Sequence, residues 1–256
     1  MTCPNSRFRA LAPAVLLGLT LFAASPARAA DDGRAPVVVE LFTSQGCSSC
    51  PAADAFLGEL AARDDIIALS EHVDYWNYIG WVDPFASEVN TKRQKAYMRW
   101  LGAGYVYTPQ MVIDGASHVV GSDRDAVNRA IEVARNAVGS GLKVSMTAEA
   151  NGRIHLSIPA ALVTEPAAIL LVAFDRAHQT EISAGENDGR SITNHRVVRA
   201  ISEVGRYEGK AVSITLDPDN LPETRPDTEG CAVLLQSEGS GAIIGAGMVW
   251  LKPPKS

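Results

Sequence analysis

Two cysteines separated by two residues are the part of the sequence best suited to chemistry. Cys47 and Cys50 follow a short apolar segment typical of a buried strand, and Pro51 opens a stretch of helical composition directly after them. A pair at this spacing between a strand and a helix is typical of redox-active dithiols. The start of a helix favours a thiolate, because its unpaired N–H groups and its dipole stabilise negative charge. We therefore expect Cys47 to attack a disulfide and Cys50 to resolve the mixed disulfide.

Other chemistries fit the same cysteine pair. A static structural disulfide has the same spacing. A zinc site needs four ligands, and the sequence has no second cysteine pair to complete one. A Cu(I) site needs fewer ligands, so Cys47, Cys50 and His72 would suffice. The redox interpretation is preferred because it explains the position between strand and helix, and it requires neither a metal nor a cofactor.

Four further residues are predicted to support the pair. Thr108-Pro109 precedes a predicted strand, and a cis bond there would leave a backbone edge facing the cysteines, open to a substrate. The alternative is an ordinary trans proline that opens the strand. Glu40, near the end of the first strand, is a candidate proton acceptor for Cys50, unless its carboxylate faces solvent. His72, at the carboxyl end of the second strand, is a candidate for stabilising a thiolate, unless it pairs with local backbone.

The remaining candidates each have a functional and a structural interpretation. Residues 75–85 hold five aromatic side chains, which either form an apolar wall for an extended peptide or pack a loop onto a helix. Cys231 is either an inert buried thiol, the default, or a third redox thiol. A basic cluster in the second half either contacts a partner or the first domain or, as we expect, lies on a solvated hairpin rim: Arg190, His195, Arg196 and Arg199.

The elements that must position these residues change character along the chain. Residues 36–138 alternate strand and helix patterns in the order β-α-β-α-β-β-α, with one sheet between helices. Beyond them the pattern changes to period two with frequent turn signals. The strand candidates there are residues 142–150, 153–159, 167–174, 211–216, 232–236 and 243–251. We therefore predict an α/β domain over 34–140 and an all-β sandwich-like domain over 141–256.

The first 29 residues have the order of a secretory signal peptide. Arg7 and Arg9 precede an apolar run over 11–22, and residues 27–29 (ARA) supply the small residues of a cleavage site. We expect this segment to be removed and the protein to be periplasmic or secreted, with no stable membrane insertion afterwards. The chain of 256 residues has a net charge of -6, so it lacks the basic excess of a nucleic-acid-binding protein.

Taken together, these motifs resemble known proteins. A cysteine pair after a buried strand, with Thr108-Pro109 before a hairpin and a final helix, is similar to the thioredoxin-like fold. More narrowly, the chain resembles an exported bacterial family, domain of unknown function 1223 (DUF1223), in five segments: 40–51 (ELFTSQGCSSCP), 72–76 (HVDYW), 80–85 (GWVDPF), 107–110 (YTPQ) and 189–198 (GRSITNHRVV). The resemblance implies an α/β thioredoxin-like domain over 34–140 followed by a second domain.

These patterns together indicate an exported thiol-disulfide oxidoreductase. Its expected partners are proteins or small molecules that carry thiols or disulfides, and nucleic acid is not among them. One alternative is a Cu(I)-binding protein or metallochaperone. A second alternative is a redox-silent module whose C-terminal part binds a partner. Both alternatives predict no turnover with dithiol substrates, and the metal content of the reduced protein separates them.

Overall fold

The computed structural model of the protein describes residues 34–137, 141–217 and 228–252. The helices in these ranges are α1 (Pro51–Ala61), α2 (Glu88–Trp100) and α3 (Arg124–Asn136), with short 3-10 helices at Asn77–Ile79 and Gly185–Asn187. The strands are β1 (Val37–Thr43), β2 (Ile66–His72), β3 (Gln110–Ile113), β4 (Ser117–Val120), β5 (Leu142–Lys143), β6 (Ser145–Ala148), β7 (Ile154–Ile158), β8 (Ala167–Glu181), β9 (Ser191–Tyr207), β10 (Val212–Leu216), β11 (Gly230–Ser237) and β12 (Ile243–Trp250).

The N-terminal part of the sheet follows the apolar pattern of the sequence. β1 is buried along its whole length and pairs parallel with β2 and antiparallel with β3. Alternate side chains of a strand point to opposite faces of the sheet. Val39 and Leu41 therefore pack with Leu57 of α1, whereas Val38 and Glu40 point to the other face. α1 and the Glu40 side chain therefore lie on opposite faces of the sheet.

The C-terminal part extends the same sheet. β8 and β9 form a hairpin of 15 and 17 residues, and Val197 of β9 pairs in parallel with Ser70 of β2. The resulting nine-stranded sheet has the order β4-β3-β1-β2-β9-β8-β11-β12-β5. A three-stranded sheet, β10-β7-β6, adds Ile154 and Leu156 of β7 to a core shared with Ile169 of β8. Strands of both halves therefore belong to one mixed sheet.

The predicted fold class, an α/β thioredoxin-like domain followed by a β-sandwich, is wrong. The described residues are mostly β and belong to one compact unit, and one sheet runs through both predicted domains. The prediction missed β9, because its basic residues were assigned to a solvated rim. Arg196 is instead buried, donates from Nη2 to the Ala61 carbonyl oxygen at 2.9 Å, and stacks 4.4 Å from the centre of the Trp250 ring. β9 thereby covers the β2 edge.

The predicted signal peptide over 1–29 lies outside the described residues and stays a prediction. Among the helices that the structure does describe, none combines the length and the apolar character needed to cross a bilayer.

The division into domains 34–140 and 141–256 also stays a prediction, which deletion after Gly141 tests. One buried cluster joins the two halves, since Val38 and Ile67 pack with Phe174 and Leu234. We expect the fragment ending at Gly141 to aggregate, because the deletion exposes these apolar side chains to water. Gel filtration and thermal melting followed by circular dichroism measure this. A soluble fragment that unfolds cooperatively would instead support two independent cores.

Candidate active site

Cys47 and Cys50 form a disulfide in the turn between β1 and α1. Their Cα atoms are 5.5 Å apart, and the Cys50 N–H donates to the Cys47 carbonyl oxygen at 3.1 Å. Cys50 is the N-cap of α1, and Pro51 takes the first helical position, where no N–H is needed. The helix begins at Pro51, so Cys47 precedes the helical segment by one turn instead of lying at the helix N-terminus, as its predicted thiolate role required.

Both cysteines are buried, although the dipeptide between them is exposed. The exposed fraction is 1% for Cys47 and 0% for Cys50, whereas Ser48 and Ser49 face solvent. The Cys47 Sγ lies 3.2 Å from the Ser49 Oγ and 3.9 Å from the Thr108 carbonyl oxygen. The Cys47 sulfur therefore lies between an exposed serine and the backbone that precedes β3.

The structure brings the predicted proline turn to the cysteine pair. The Thr108–Pro109 bond is cis, as the sequence predicts. The Trp76 Nε1 donates to the Thr108 Oγ1 at 2.8 Å, which ties the aromatic segment 75–85 to this turn. The substrate-binding role of Thr108 and Pro109 stays a prediction.

The aromatic segment 75–85 both packs the cysteine turn and reaches the surface. A Cβ added at Gly46 would lie 3.2 Å from the Ile79 side chain and 3.4 Å from Trp76, so a larger residue would require these side chains to shift by a few tenths of an ångström. The Trp81 Nε1 donates to the Gln45 Oε1 at 3.1 Å. Tyr78, by contrast, is 83% exposed. The packing interpretation therefore holds for Trp76 and Trp81, and the peptide-binding role stays a prediction.

His72 lies against a buried carboxylate behind the cysteine turn. Its Nδ1 lies 2.7 Å from the Asp83 Oδ2, and both side chains are fully buried. The same oxygen accepts from the Gln45 N–H at 2.8 Å. Burial by itself would raise the pKa of Asp83, but the His72 charge and its hydrogen bond, with the N–H groups of Gln45 and Phe85, hold that pKa below its ordinary value. His72 is thus held by a carboxylate and not by local backbone.

Asp54 is a second buried carboxyl group near the pair, and the sequence reasoning missed it. It lies in the first turn of α1, and its backbone N–H donates to the Cys50 carbonyl oxygen at 3.0 Å. The Thr43 Oγ1 donates to the Asp54 Oδ1 at 2.8 Å. Burial raises the pKa of Asp54 to about 7, against the opposing effects of His72 and the Thr43 hydroxyl. The available signal was an aspartate among the apolar residues of a buried helix face.

Glu40 is buried, but the structure does not bring it to the cysteines. Its Oε1 lies 2.6 Å from the Arg93 guanidinium, and its Oε2 accepts a short hydrogen bond from the Tyr97 hydroxyl. It points to the sheet face opposite α1, as the alternation along β1 requires. Neither the predicted proton transfer to Cys50 nor the alternative of a solvent-facing carboxylate describes this placement. Glu40 belongs to a separate buried network with Arg93.

The loop between β8 and β9, residues 182–190, contributes contacts that the sequence reasoning missed. The Asn187 Nδ2 donates to the carbonyl oxygens of Gln45 at 2.8 Å and of Cys47 at 2.9 Å. The Ser48 N–H donates to the Glu186 Oε2 at 3.0 Å. These partners are about 140 positions apart in sequence, so no local spacing pattern could reveal them. The C-terminal half of the chain therefore completes the surroundings of the disulfide.

The structure bears on the metal and third-thiol interpretations as well. Within the described ranges, no group of three or more His, Cys, Asp or Glu residues is placed to hold a metal ion. The copper alternative with Cys47, Cys50 and His72 therefore gains no support from the geometry. Cys231 is a free thiol of β11 that packs in the buried core, and burial raises its pKa to about 12. This placement fits the inert buried thiol.

Comparison with solved structures finds two similar chains. A protein of Agrobacterium tumefaciens, determined by X-ray crystallography, is 35% identical with a TM-score of 0.74, over 86% of this chain and 96% of that one. HBP35 of Porphyromonas gingivalis is 14% identical with a TM-score of 0.48, over 87% of this chain and 78% of that one. No curated protein matches the sequence. The family model described as "Protein of unknown function (DUF1223)" matches residues 38–236, which include the cysteine pair and the β8–β9 loop, and the chain therefore belongs to the DUF1223 family.

Proposed function

We propose that this protein is an exported thiol-disulfide oxidoreductase whose reactive pair is Cys47 and Cys50. The observation that carries the proposal is the disulfide between a buried strand and a helix start, with the Cys47 sulfur 3.9 Å from the Thr108 carbonyl oxygen. Strand, helix and loop contacts hold this pair on rigid elements, which is what a catalytic constellation requires.

The chemistry of the pair proceeds in two exchanges. The Cys47 thiolate attacks one sulfur of a partner disulfide, and the other partner sulfur leaves as a thiolate that takes up a proton. The Cys50 thiolate then attacks the Cys47 sulfur and releases the second partner thiol. The partner gains two electrons and two protons, and the protein keeps the Cys47–Cys50 disulfide. The same steps in reverse transfer the disulfide to a partner dithiol.

A purely structural disulfide explains less. The bond joins residues only three positions apart, so it closes a very short loop. In the chain-entropy account such a loop contributes about 2 kcal/mol, against about 4.7 kcal/mol for a loop of 100 residues. The turn is already closed by the hydrogen bond between Cys50 and Cys47. Little stability depends on the bond, which favours a chemical role.

Single cysteine variants test the proposal. We expect Cys47→Ser to abolish reduction of an aromatic disulfide reporter by the dithiothreitol-reduced protein, because no attacking thiolate remains. Cys50→Ser is expected to stop after one exchange and to retain half of the reporter as a mixed disulfide, visible by mass spectrometry. Cys231→Ser serves as the control and should keep the parent rate, since burial raises the pKa of the Cys231 thiol to about 12 and leaves almost no thiolate there at neutral pH. Full activity in both of the first two variants would overturn the proposal.

The direction of exchange follows from the reduction potential of the pair. Equilibration with glutathione buffers measures it: a value near about -270 mV supports a reductase, and one near about -120 mV supports an oxidant. The basic and apolar order of residues 1–29 supports export, which cell fractionation and the mass of the mature N-terminus test. The partners proposed are proteins or small molecules that carry a disulfide or dithiol.

A further inference from the structure

The β8–β9 loop brings a carboxylate to the dipeptide between the two cysteines. The Glu186 Oε2 accepts the Ser48 N–H at 3.0 Å. Glu186 itself is exposed, and hydrogen bonds from Ser48, first its side chain and then its N–H, lower the pKa of the Glu186 carboxyl. The Glu186 carboxyl group is therefore ionised at neutral pH. It is hydrogen-bonded to Ser48, the residue that follows Cys47.

The position of Glu186 is set by its neighbours in the loop. Asn187 is fully buried and donates to the carbonyl oxygens of Gln45 and Cys47. Gly185 has a φ of +77°, and a Cβ added there would lie 3.3 Å from the Trp81 Cβ, so a glycine suits this close approach. The loop is thus fixed on both sides of Glu186, and the carboxylate is held at Ser48 by the fold.

This arrangement opposes a thiolate at Cys47 in two ways. A free backbone N–H next to Cys47 could stabilise a thiolate, but the Ser48 N–H is already donated to Glu186. The carboxylate also adds a like charge at the residue that follows Cys47. Because the reduced form of a dithiol is favoured by a stable thiolate, both effects favour the disulfide.

We propose that Glu186 is a positioning residue that disfavours the Cys47 thiolate and thereby holds the Cys47–Cys50 pair towards its disulfide form. The proposal rests on the proposed redox function, since it assigns a control element to the same pair. The proposal also gives the C-terminal half of the chain a role, because the loop of the β8–β9 hairpin positions the Glu186 carboxylate. Glu186 acts through Cys47 and needs no contact with substrate.

The test is Glu186→Gln, which keeps a hydrogen-bond acceptor and removes the charge. In a chain that also carries Cys50→Ser and Cys231→Ser, we expect iodoacetamide to alkylate Cys47 about two- to threefold faster at pH 7, as expected for removing one exposed like charge nearby. The midpoint of the pH profile should move to lower pH. The difference should shrink in 1 M salt, which a merely structural effect would not show. Peptide mass spectrometry assigns the modified cysteine.

The matched control is Glu203→Gln, an exposed carboxylate on β9. It lies nine residues beyond Asn194, whose Oδ1 accepts from the Gln45 Nε2 of the cysteine turn at 2.9 Å. Nine residues are about 30 Å along a strand, so removal of the Glu203 charge should leave the Cys47 profile unchanged. In the otherwise native chain, Glu186→Gln should shift the equilibrium with glutathione towards the dithiol by the same factor. An unchanged alkylation profile in Glu186→Gln would overturn the proposal. Alkylation of Cys47 does not depend on turnover. A protein that shows the shifted alkylation profile but no exchange activity would therefore refute the redox function and still support the effect of Glu186 on Cys47.

Discussion

Arg93→Met is expected to lower the free energy of unfolding by about 3 to 5 kcal/mol, the usual cost of breaking a buried ion pair from one side. Arg93 lies 2.6 Å from Glu40 and 3.3 Å from Glu71, both fully buried. Burial and the nearby Glu40 raise the pKa of Glu71 well above its ordinary value, so Glu40 is the carboxylate that needs the cation. Without Arg93 a charge would remain in the core. Urea denaturation at pH 7 measures the loss.

A second substitution separates lost charge pairing from lost packing. Glu40→Gln in the Arg93→Met chain removes the orphaned charge, so we expect it to recover part of the lost stability. Arg99→Met is the matched control, because Arg99 is exposed in the same helix and its loss should cost less than about 0.5 kcal/mol. If Arg93→Met is no more costly than Arg99→Met, the buried network does not stabilise the fold.

Asp54→Asn is expected to stabilise the protein at pH 8 by about 2 to 4 kcal/mol and to have almost no effect at pH 4. The pKa of Asp54 is raised from 3.8 to about 7 in the folded protein. Between these values the folded state binds the proton more tightly than the unfolded chain, so stability falls as pH rises. Above pH 7 the wild type carries the full cost of a buried carboxylate, which asparagine avoids. Denaturation curves of both chains from pH 4 to pH 8 measure the difference.

The control for this substitution is Asp64→Asn, an exposed aspartate just beyond α1. It should shift stability by less than about 0.5 kcal/mol at either pH. Parallel curves for Asp54→Asn and wild type across the pH range would contradict the raised pKa. A carboxyl group that costs stability beside a cysteine pair fits a functional site, because such sites keep groups that the fold alone would not favour.

The first seven elements could be predicted because their signals are local. The apolar run of β1, the proline at the start of α1 and the Asp114-Gly115 turn between β3 and β4 each lie within a few residues. The cysteine pair and the cis Thr108–Pro109 bond were found for the same reason. Positions within a strand were less accessible, since Glu40 needs the register of β1 to place it on the face away from α1.

The remainder depends on partners distant in sequence. β9 mixes apolar residues with Arg196 and Arg199, so its pattern is that of an exposed segment, and only burial of Arg196 against Trp250 and Ala61 makes it a central strand. The same holds for Asn187, whose partners lie on the other half of the chain. The edge of a strand can pair with many other strands, and the spacing of residues within one strand does not specify its partner.

The large sequence separation between the cysteine turn and the β8–β9 loop has a consequence for biosynthesis. A ribosome completes the cysteine turn about 140 residues before it adds Asn187. At roughly 5 to 20 residues per second, this interval lasts about 7 to 28 seconds. During it, neither Glu186 nor Asn187 exists to act on Cys47. The dithiol therefore exists before the loop that contacts it, and any effect of Glu186 on the pair can begin only once the β8–β9 loop has been synthesised and has folded against the cysteine turn.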